Sequence, residues 1–136
     1  MALQLDVITP ERRLLSEQVD AVTVPGLGGE LGILPGHTPL ISQLQTGVLS
    51  YTRGGETRRL LVSGGFVEVN DDRVSVLTDL AELPGEIDAA RARTERDEAE
   101  KRLGAFTGAP EEMAEVRTQF DRAATRLQLA SGEGAR

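Results

Sequence analysis

The apolar residues of this chain change their period once, at Pro84-Gly85, and that change limits the folds open to it more than any other feature. Upstream they alternate. Leu3, Leu5 and Val7 flank Gln4 and Asp6, Val22 and Val24 flank Thr23, Val67 and Val69 flank Glu68, and Val74 and Val76 flank Ser75. A period of two turns every second side chain toward a core and the others outward, which is the signature of a half-buried strand. The runs are broken by Arg53-Gly54-Gly55-Glu56, Gly64-Gly65 and Asn70-Asp71-Asp72, all turn-forming sequences. Short strands that follow one another without intervening helices predict an antiparallel sandwich or barrel.

Downstream the pattern is helical. Ile87 to Leu103 contains no Gly or Pro and is rich in Ala, Arg, Glu and Lys, which favour helix. Gly104 is a natural stop, and Pro110-Glu111-Glu112 is a natural start, with proline in the first turn and acids at the positive end of the helix dipole. Met113, Val116, Phe120, Ala123, Ala124 and Leu127 recur at spacings of one helical face. The short connection makes the two helices antiparallel neighbours. Ser131 to Arg136 reads as a frayed polar tail.

This helix pair is poorly supplied for docking. The second helix offers Met113, Val116, Phe120 and Leu127, each contributing roughly 1.5–3 kcal/mol if fully buried. The first offers mainly Ala89, Ala92, Ala99 and Leu103, and alanine buries little area. A ligand present at about a thousand times its dissociation constant supplies about 4 kcal/mol. The hairpin is therefore expected to be able to change position when something binds.

Composition excludes several functions. The 136 residues include no cysteine, so no disulfide framework, Cys-ligated zinc site or thiol nucleophile exists. A net charge of −7 and an aromatic content of 3% are the reverse of what phosphate neutralisation and base stacking need, so nucleic acid is not an expected partner. The start, Met1-Ala2-Leu3-Gln4-Leu5-Asp6, lacks a basic region followed by an apolar run, so no signal peptide is expected. No segment approaches the roughly 18 apolar residues of a membrane span, so a tie to a membrane is expected to run through another protein.

The motifs of catalysis are missing. Pro25-Gly26-Leu27-Gly28-Gly29-Glu30-Leu31-Gly32 has Leu31 where a dinucleotide fingerprint needs its third glycine, and no Gly-Lys-Ser/Thr of a P-loop occurs. Its glycines read as tight turns needing positive φ. His37 is the single histidine, which rules out a His-built zinc site, and its rigid loop Gly36-His37-Thr38-Pro39 favours a structural or contact role over catalysis. Arg122 and Arg126 share one side of the second helix. With Arg117 they form either a solvated face or a surface for an acidic partner or a phosphate.

Beyond these, Gly29-Glu30-Leu31-Gly32-Ile33-Leu34-Pro35-Gly36-His37-Thr38-Pro39-Leu40 closely resembles the hallmark segment of F-type ATP synthase epsilon subunits of bacterial type. Leu5-Asp6-Val7-Ile8-Thr9-Pro10-Glu11, Gln18 to Gly26, Leu44-Gln45-Thr46-Gly47-Val48-Leu49, Ser63-Gly64-Gly65-Phe66-Val67-Glu68-Val69 and Asp79-Leu80-Ala81 resemble further family segments, in family order. The resemblance covers nearly the whole chain.

The resemblance implies an α+β chain: a flattened antiparallel β-sandwich over residues 1–85, a two-helix antiparallel hairpin over 86–130 and a tail over 131–136. It implies a non-catalytic central-stalk subunit on the cytoplasmic face of a bacterial membrane, peripheral and held there by the complex. Its partners would be the gamma subunit, the ring of c subunits and the alpha/beta catalytic head. A loop containing Glu30, Gly32 and His37 would face the c ring and gamma. The hairpin would lie on the sandwich, or extend and slow ATP hydrolysis, with Arg117, Arg122 and Arg126 facing acids of the beta subunits.

Ile87-Asp88-Ala89-Ala90-Arg91-Ala92 further resembles the Ile/Leu-Asp-x-x-Arg-Ala motif of epsilon subunits that bind ATP. No cofactor is required on this reading. ATP would be a regulatory ligand, with Ile87, Asp88, Arg91, Ala92, Arg122 and Arg126 as its candidate residues, and would hold the hairpin down. The next turns carry Glu95, Asp97 and Glu98, carboxylates that repel phosphate. Two other readings stand beside this one: a stand-alone β-sandwich binding module with a helical tail, and an enzyme built around His37 and Glu30.

Overall fold

The computed structural model describes residues 2–105 and 107–131. Ten strands form two stacked sheets: β1 (Leu3–Ile8), β2 (Arg13–Val19), β3 (Ala21–Gly26), β4 (Gly29–Ile33), β5 (Leu40–Gln43), β6 (Gly47–Arg53), β7 (Glu56–Ser63), β8 (Phe66–Asn70), β9 (Arg73–Leu77) and β10 (Leu80–Glu82). The first sheet has the order β2-β1-β9-β8-β5 and the second β10-β7-β6-β3-β4. Pairing is antiparallel except between β1 and β9, which run parallel.

The alternation in the sequence is the alternation in space. Leu3, Leu5 and Val7, Val22 and Val24, Val67 and Val69, and Val74 and Val76 are all buried in one cluster between the sheets, with Ile33, Leu49, Leu60 and Val62. The expected turns join them. Gly54 and Gly55 (φ 59° and 83°) and Asp71 and Asp72 (φ 49° and 59°) have the paired positive φ of tight two-residue hairpins. In the Gly26–Gly32 segment only Gly29 has a positive φ, because the segment is a β3–β4 hairpin and its other glycines have ordinary backbone angles.

One strand breaks the alternation. Leu60, Leu61, Val62 and Ser63 of β7 are buried in succession. Leu60 and Val62 face the sandwich core, whereas Leu61 is fully buried but lies outside that cluster, in register with Val48 and Glu82 on the outward face. The cover on that face is helical. Helices α1 (Ala89–Gly104) and α2 (Pro110–Ala130) form the hairpin, and α2 packs on β6 and β7.

The apolar face of α2 differs from the expected stripe. Val116 and Ala123 are buried as expected, but so are Thr125 and Leu129, while Met113 is 39% exposed. A helix wedged between a partner helix and a sheet must bury two flanks, so its buried positions follow both neighbours and not one line. Thr125 returns its hydroxyl to the Asp121 carbonyl at 2.7 Å, which removes the cost of its burial. On α1 only Ala92 and Ala99 are buried, so the hairpin closes over small side chains. Arg102 of α1 donates to Gln119 Oε1 of α2 at 3.0 Å.

A 3-10 turn, Pro84–Glu86, connects the sandwich to the hairpin. Glu86 accepts the Leu83 amide at 2.8 Å and holds the turn closed. Of the tail expected over 131–136, only Ser131 falls within the described residues.

Candidate functional site

The residues singled out for ligand chemistry meet where the hairpin rests on the second sheet. Arg126 reaches from α2 to Glu82 of β10, donating from Nε to Oε1 at 2.8 Å and from Nη2 to Oε2 at 2.9 Å. Both side chains are largely buried, with 20% and 22% exposure. The hydrogen bonds it donates to Glu82 hold the Arg126 pKa above its ordinary value, against the opposing effect of burial. Glu95 of α1 stands 4.0 Å from Arg126 Nη1. One turn earlier on α2, Arg122 Nε donates to Ser63 Oγ at 2.8 Å, and that hydroxyl lies 2.7 Å from Thr46 Oγ1.

Two adjoining clefts open beside these contacts. The first, of about 210 Å³, is lined by Glu82, Glu86, Ile87, Asp88, Arg91, Glu95 and Arg126. Four carboxylates there oppose two guanidinium groups, so it is an acidic cleft. The second, of about 350 Å³, lies between the helices and is lined by Glu95, Glu98, Ala99, Arg102, Gln119, Arg122 and Arg126. With three guanidinium groups against two carboxylates, it is the more basic of the two.

Five of the six candidate ligand residues line these clefts: Ile87, Asp88, Arg91, Arg122 and Arg126. Ala92 does not. It is 1% exposed, and its small size lets α1 approach what packs on it. Asp88 has a structural task as well, because its carboxylate accepts the Arg91 amide at 3.1 Å and caps α1. Arg117 is not brought to Arg122 and Arg126. It is exposed, 5.9 Å from the ring centre of Phe120, with Asp121 at 3.9 Å. The spacing of five residues from Arg117 to Arg122 rotates Arg117 off the face that meets the sheet.

At the sandwich surface, Glu30, Gly32 and His37 do not share one loop. Glu30 and Gly32 are exposed on the edge strand β4, paired opposite Pro25 and Thr23, and His37 follows in the connection to β5. The hallmark segment pairs as a strand because Leu31 and Ile33 alternate toward the core. That connection is pinned: Gly36 (φ 87°) donates its amide to Asp72 Oδ1 at 2.7 Å, and His37 Nδ1 lies 2.6 Å from the Thr38 carbonyl oxygen. Leu27 and Leu34, on either side of β4, are 60% and 63% exposed.

Sequence reasoning missed two features. Ile41, Phe66 and Leu77 are about half exposed or more on the outward face of the first sheet, where Phe66 and Leu77 stand directly opposite each other. Apolar residues at outward positions of alternating strands were the available signal. The other is Glu82, whose position in a short strand gave no hint that it meets α2.

Among the described residues no group of acids or histidines is arranged to hold a metal ion, and no helix is long and apolar enough to cross a membrane. The sequence profile of the ATP synthase delta/epsilon chain beta-sandwich domain matches residues 2–84, and that of the delta/epsilon chain long alpha-helix domain matches residues 86–131. The chain is 44% identical over 134 residues to ATP synthase epsilon chain 2 of Syntrophotalea carbinolica, covering 98% of this chain and 96% of that one. It is 45% identical over 130 residues to the ATP synthase epsilon chain of Anaeromyxobacter dehalogenans, covering 96% and 98%. Its fold superposes with a TM-score of 0.78 and 26% identity on a chain of the Euglena gracilis mitochondrial ATP synthase OSCP/F1/c-ring structure, covering 91% of this chain and 78% of that one. With both halves matched in order and these identities sustained over almost the full length, the chain belongs to the ATP synthase delta/epsilon chain family.

Proposed function

We propose that this chain, an epsilon subunit of an F-type ATP synthase with no catalytic role of its own, works as a rotor anchor that carries a movable brake. The sandwich is the anchor. Glu30, Gly32 and His37 contact the c ring and gamma, and the apolar pair Phe66 and Leu77 offers a second contact face. The hairpin is the brake. Released from the sandwich, it extends toward the alpha/beta head, where Arg117, Arg122 and Arg126 meet acidic side chains and ATP hydrolysis slows. The subunit sits peripherally at the cytoplasmic face of a bacterial membrane, through the complex alone.

The observation that supports a movable hairpin is the nature of its seat. α1 buries two alanines, and α2 covers Leu61 of β7 but is fixed there by two polar, exchangeable contacts, Arg122 to Ser63 and Arg126 to Glu82. Those arginines cannot serve the sandwich and a catalytic subunit together, so docking and braking exclude each other. The clefts beside them take ATP as a regulatory ligand, with Ile87, Asp88 and Arg91 at one end and Arg122 and Arg126 toward the phosphates.

The test is a titration of the chain into epsilon-depleted ATP synthase catalytic sectors, with ATPase rate recorded for the full chain and for a form ending at Gly85. Binding by both, with slowing by the full chain alone, supports anchor and brake. Failure of both to bind where an authentic epsilon subunit binds sinks the proposal.

A further inference from the structure

The turn between β8 and β9 departs from ordinary hairpin chemistry at one residue. A two-residue turn with both residues left-handed is usually Asn-Gly or Asp-Gly, since glycine takes the second position without steric cost. Here that position is Asp72, at φ 59°, after Asp71 at φ 49°. Its carboxylate does what glycine could not: Oδ1 accepts the Gly36 amide at 2.7 Å, across 36 residues of chain. Its main chain is fixed as well, because the Asp72 carbonyl oxygen accepts the Gln4 amide at 2.9 Å. Asp72 therefore joins β1 and the β8–β9 hairpin to the connection that carries His37.

The point of attachment decides which way that connection turns. Leu34, Pro35, Gly36 and His37 form a β-turn in which the His37 amide donates to the Leu34 carbonyl at 3.1 Å. Proline stands second and a left-handed glycine (φ 87°) third, the pattern of a type II turn. A type I turn has the central peptide turned over. That peptide is planar and trans, so while the Gly36 N–H points at Asp72 the Pro35 carbonyl points away from it. Turned over, the carbonyl oxygen would face the carboxylate and be repelled. We propose that Asp72 is a positioning residue for the contact loop: it carries left-handed strain, holds the Pro35-Gly36 peptide in one orientation, and so fixes how His37 is presented to the rotor. This rests on the reading of Glu30, Gly32 and His37 as rotor contacts. A strained residue kept where an unstrained one is available is the mark of such a task.

Three substitutions in the full-length protein separate positioning from folding. Asp72→Gly and Asp71→Gly each relieve a left-handed aspartate and remove one negative charge, but only the first removes the bond to Gly36. Asp72→Asn keeps an acceptor oxygen on a side chain that tolerates the left-handed region. Amide exchange at Gly36 is expected to rise about tenfold in Asp72→Gly, the scale of one hydrogen bond to a charged group. It is expected to stay near wild type in Asp71→Gly and Asp72→Asn, and exchange at Val76, buried in the sandwich core, should not change in any of them. The same chains, added to epsilon-depleted complete ATP synthase in vesicles, should restore ATP-driven ion pumping, with Asp72→Gly alone needing severalfold more protein. Unchanged exchange at Gly36 in Asp72→Gly overturns the proposal. So does equal acceleration in Asp71→Gly or Asp72→Asn, or acceleration at Val76 to match. Faster Gly36 exchange with undiminished pumping, where His37→Ala does impair pumping, removes the positioning role and leaves the contact. Undiminished pumping in both variants overturns the contact reading itself.

Discussion

Arg12 and Glu86, 74 residues apart in the chain, share two hydrogen bonds of 2.8 and 3.0 Å that tie the β1–β2 loop to the turn leading into the hairpin. The same Glu86 carboxylate accepts the Leu83 amide, and Arg12 Nη2 lies 3.4 Å from the Ala81 carbonyl oxygen. The connection therefore stays with the sandwich up to Glu86, and any swing of the hairpin has its pivot at Ile87 and Asp88.

This clamp makes stability depend on pH in a defined direction. The hydrogen bonds from Arg12, followed by that from the Leu83 amide, hold the Glu86 carboxyl below its ordinary value. A carboxyl depressed in the folded state stabilises the fold above its unfolded pKa of about 4.3, and that contribution fades as the pH falls through the folded value. Thermal unfolding of the wild type and Glu86→Gln should differ near neutrality and converge in acid. Amide exchange at Leu83 should be faster in the variant at neutral pH. A melting difference that persists unchanged in acid would contradict the assignment.

Gly65 has no room for a side chain. Its φ is 86°, and a Cβ built there meets the Leu77 carbonyl oxygen and the Thr78 Cα. Gly65→Ala should cost at least about 2 kcal/mol in urea unfolding, from the left-handed backbone and the collision together. Gly28→Ala, with open space around it, is the control and should lie within about 0.5 kcal/mol of wild type.

Leu61 tests whether the hairpin covers the second sheet in solution. Leu61→Ala should cost about 2–5 kcal/mol in the full chain, where the side chain is fully buried. In a form ending at Gly85 the same change should cost far less, because α2 is gone and Leu61 already faces water. Equal losses in the two forms would mean that the hairpin is not seated there.

The outward face of the first sheet should separate binding from folding. Phe66 and Leu77 are 49% and 52% exposed, so Phe66→Glu with Leu77→Glu should leave the melting temperature nearly unchanged. Co-sedimentation with epsilon-depleted catalytic sectors should be reduced at least tenfold, since the two carboxylates would have to be desolvated in the contact. Undiminished binding would remove this face from the anchor.

The residue pattern carried the local architecture. Alternation at Leu3-Leu5-Val7 or Val74-Val76 is a property of neighbouring residues, and so are the turns at Gly54-Gly55 and Asp71-Asp72 and the helix start at Pro110. It also placed Arg122 and Arg126 on one face of α2, since a spacing of four residues fixes that in any helix. The tertiary structure alone decided what that face meets. Glu82 stands in a three-residue strand, and only the pairing of β10 with β7, together with the seating of α2 across β7, brings it to Arg126. The burial of Leu129 in place of Met113 has the same origin, because the buried flank of a helix is set by its neighbours as much as by its own periodicity. Arg117 parts from Arg122 for a geometric reason, since only residues on the flank facing the sheet can reach it. Contacts between elements depend on how those elements are stacked, and stacking is a long-range property that no window of the sequence contains.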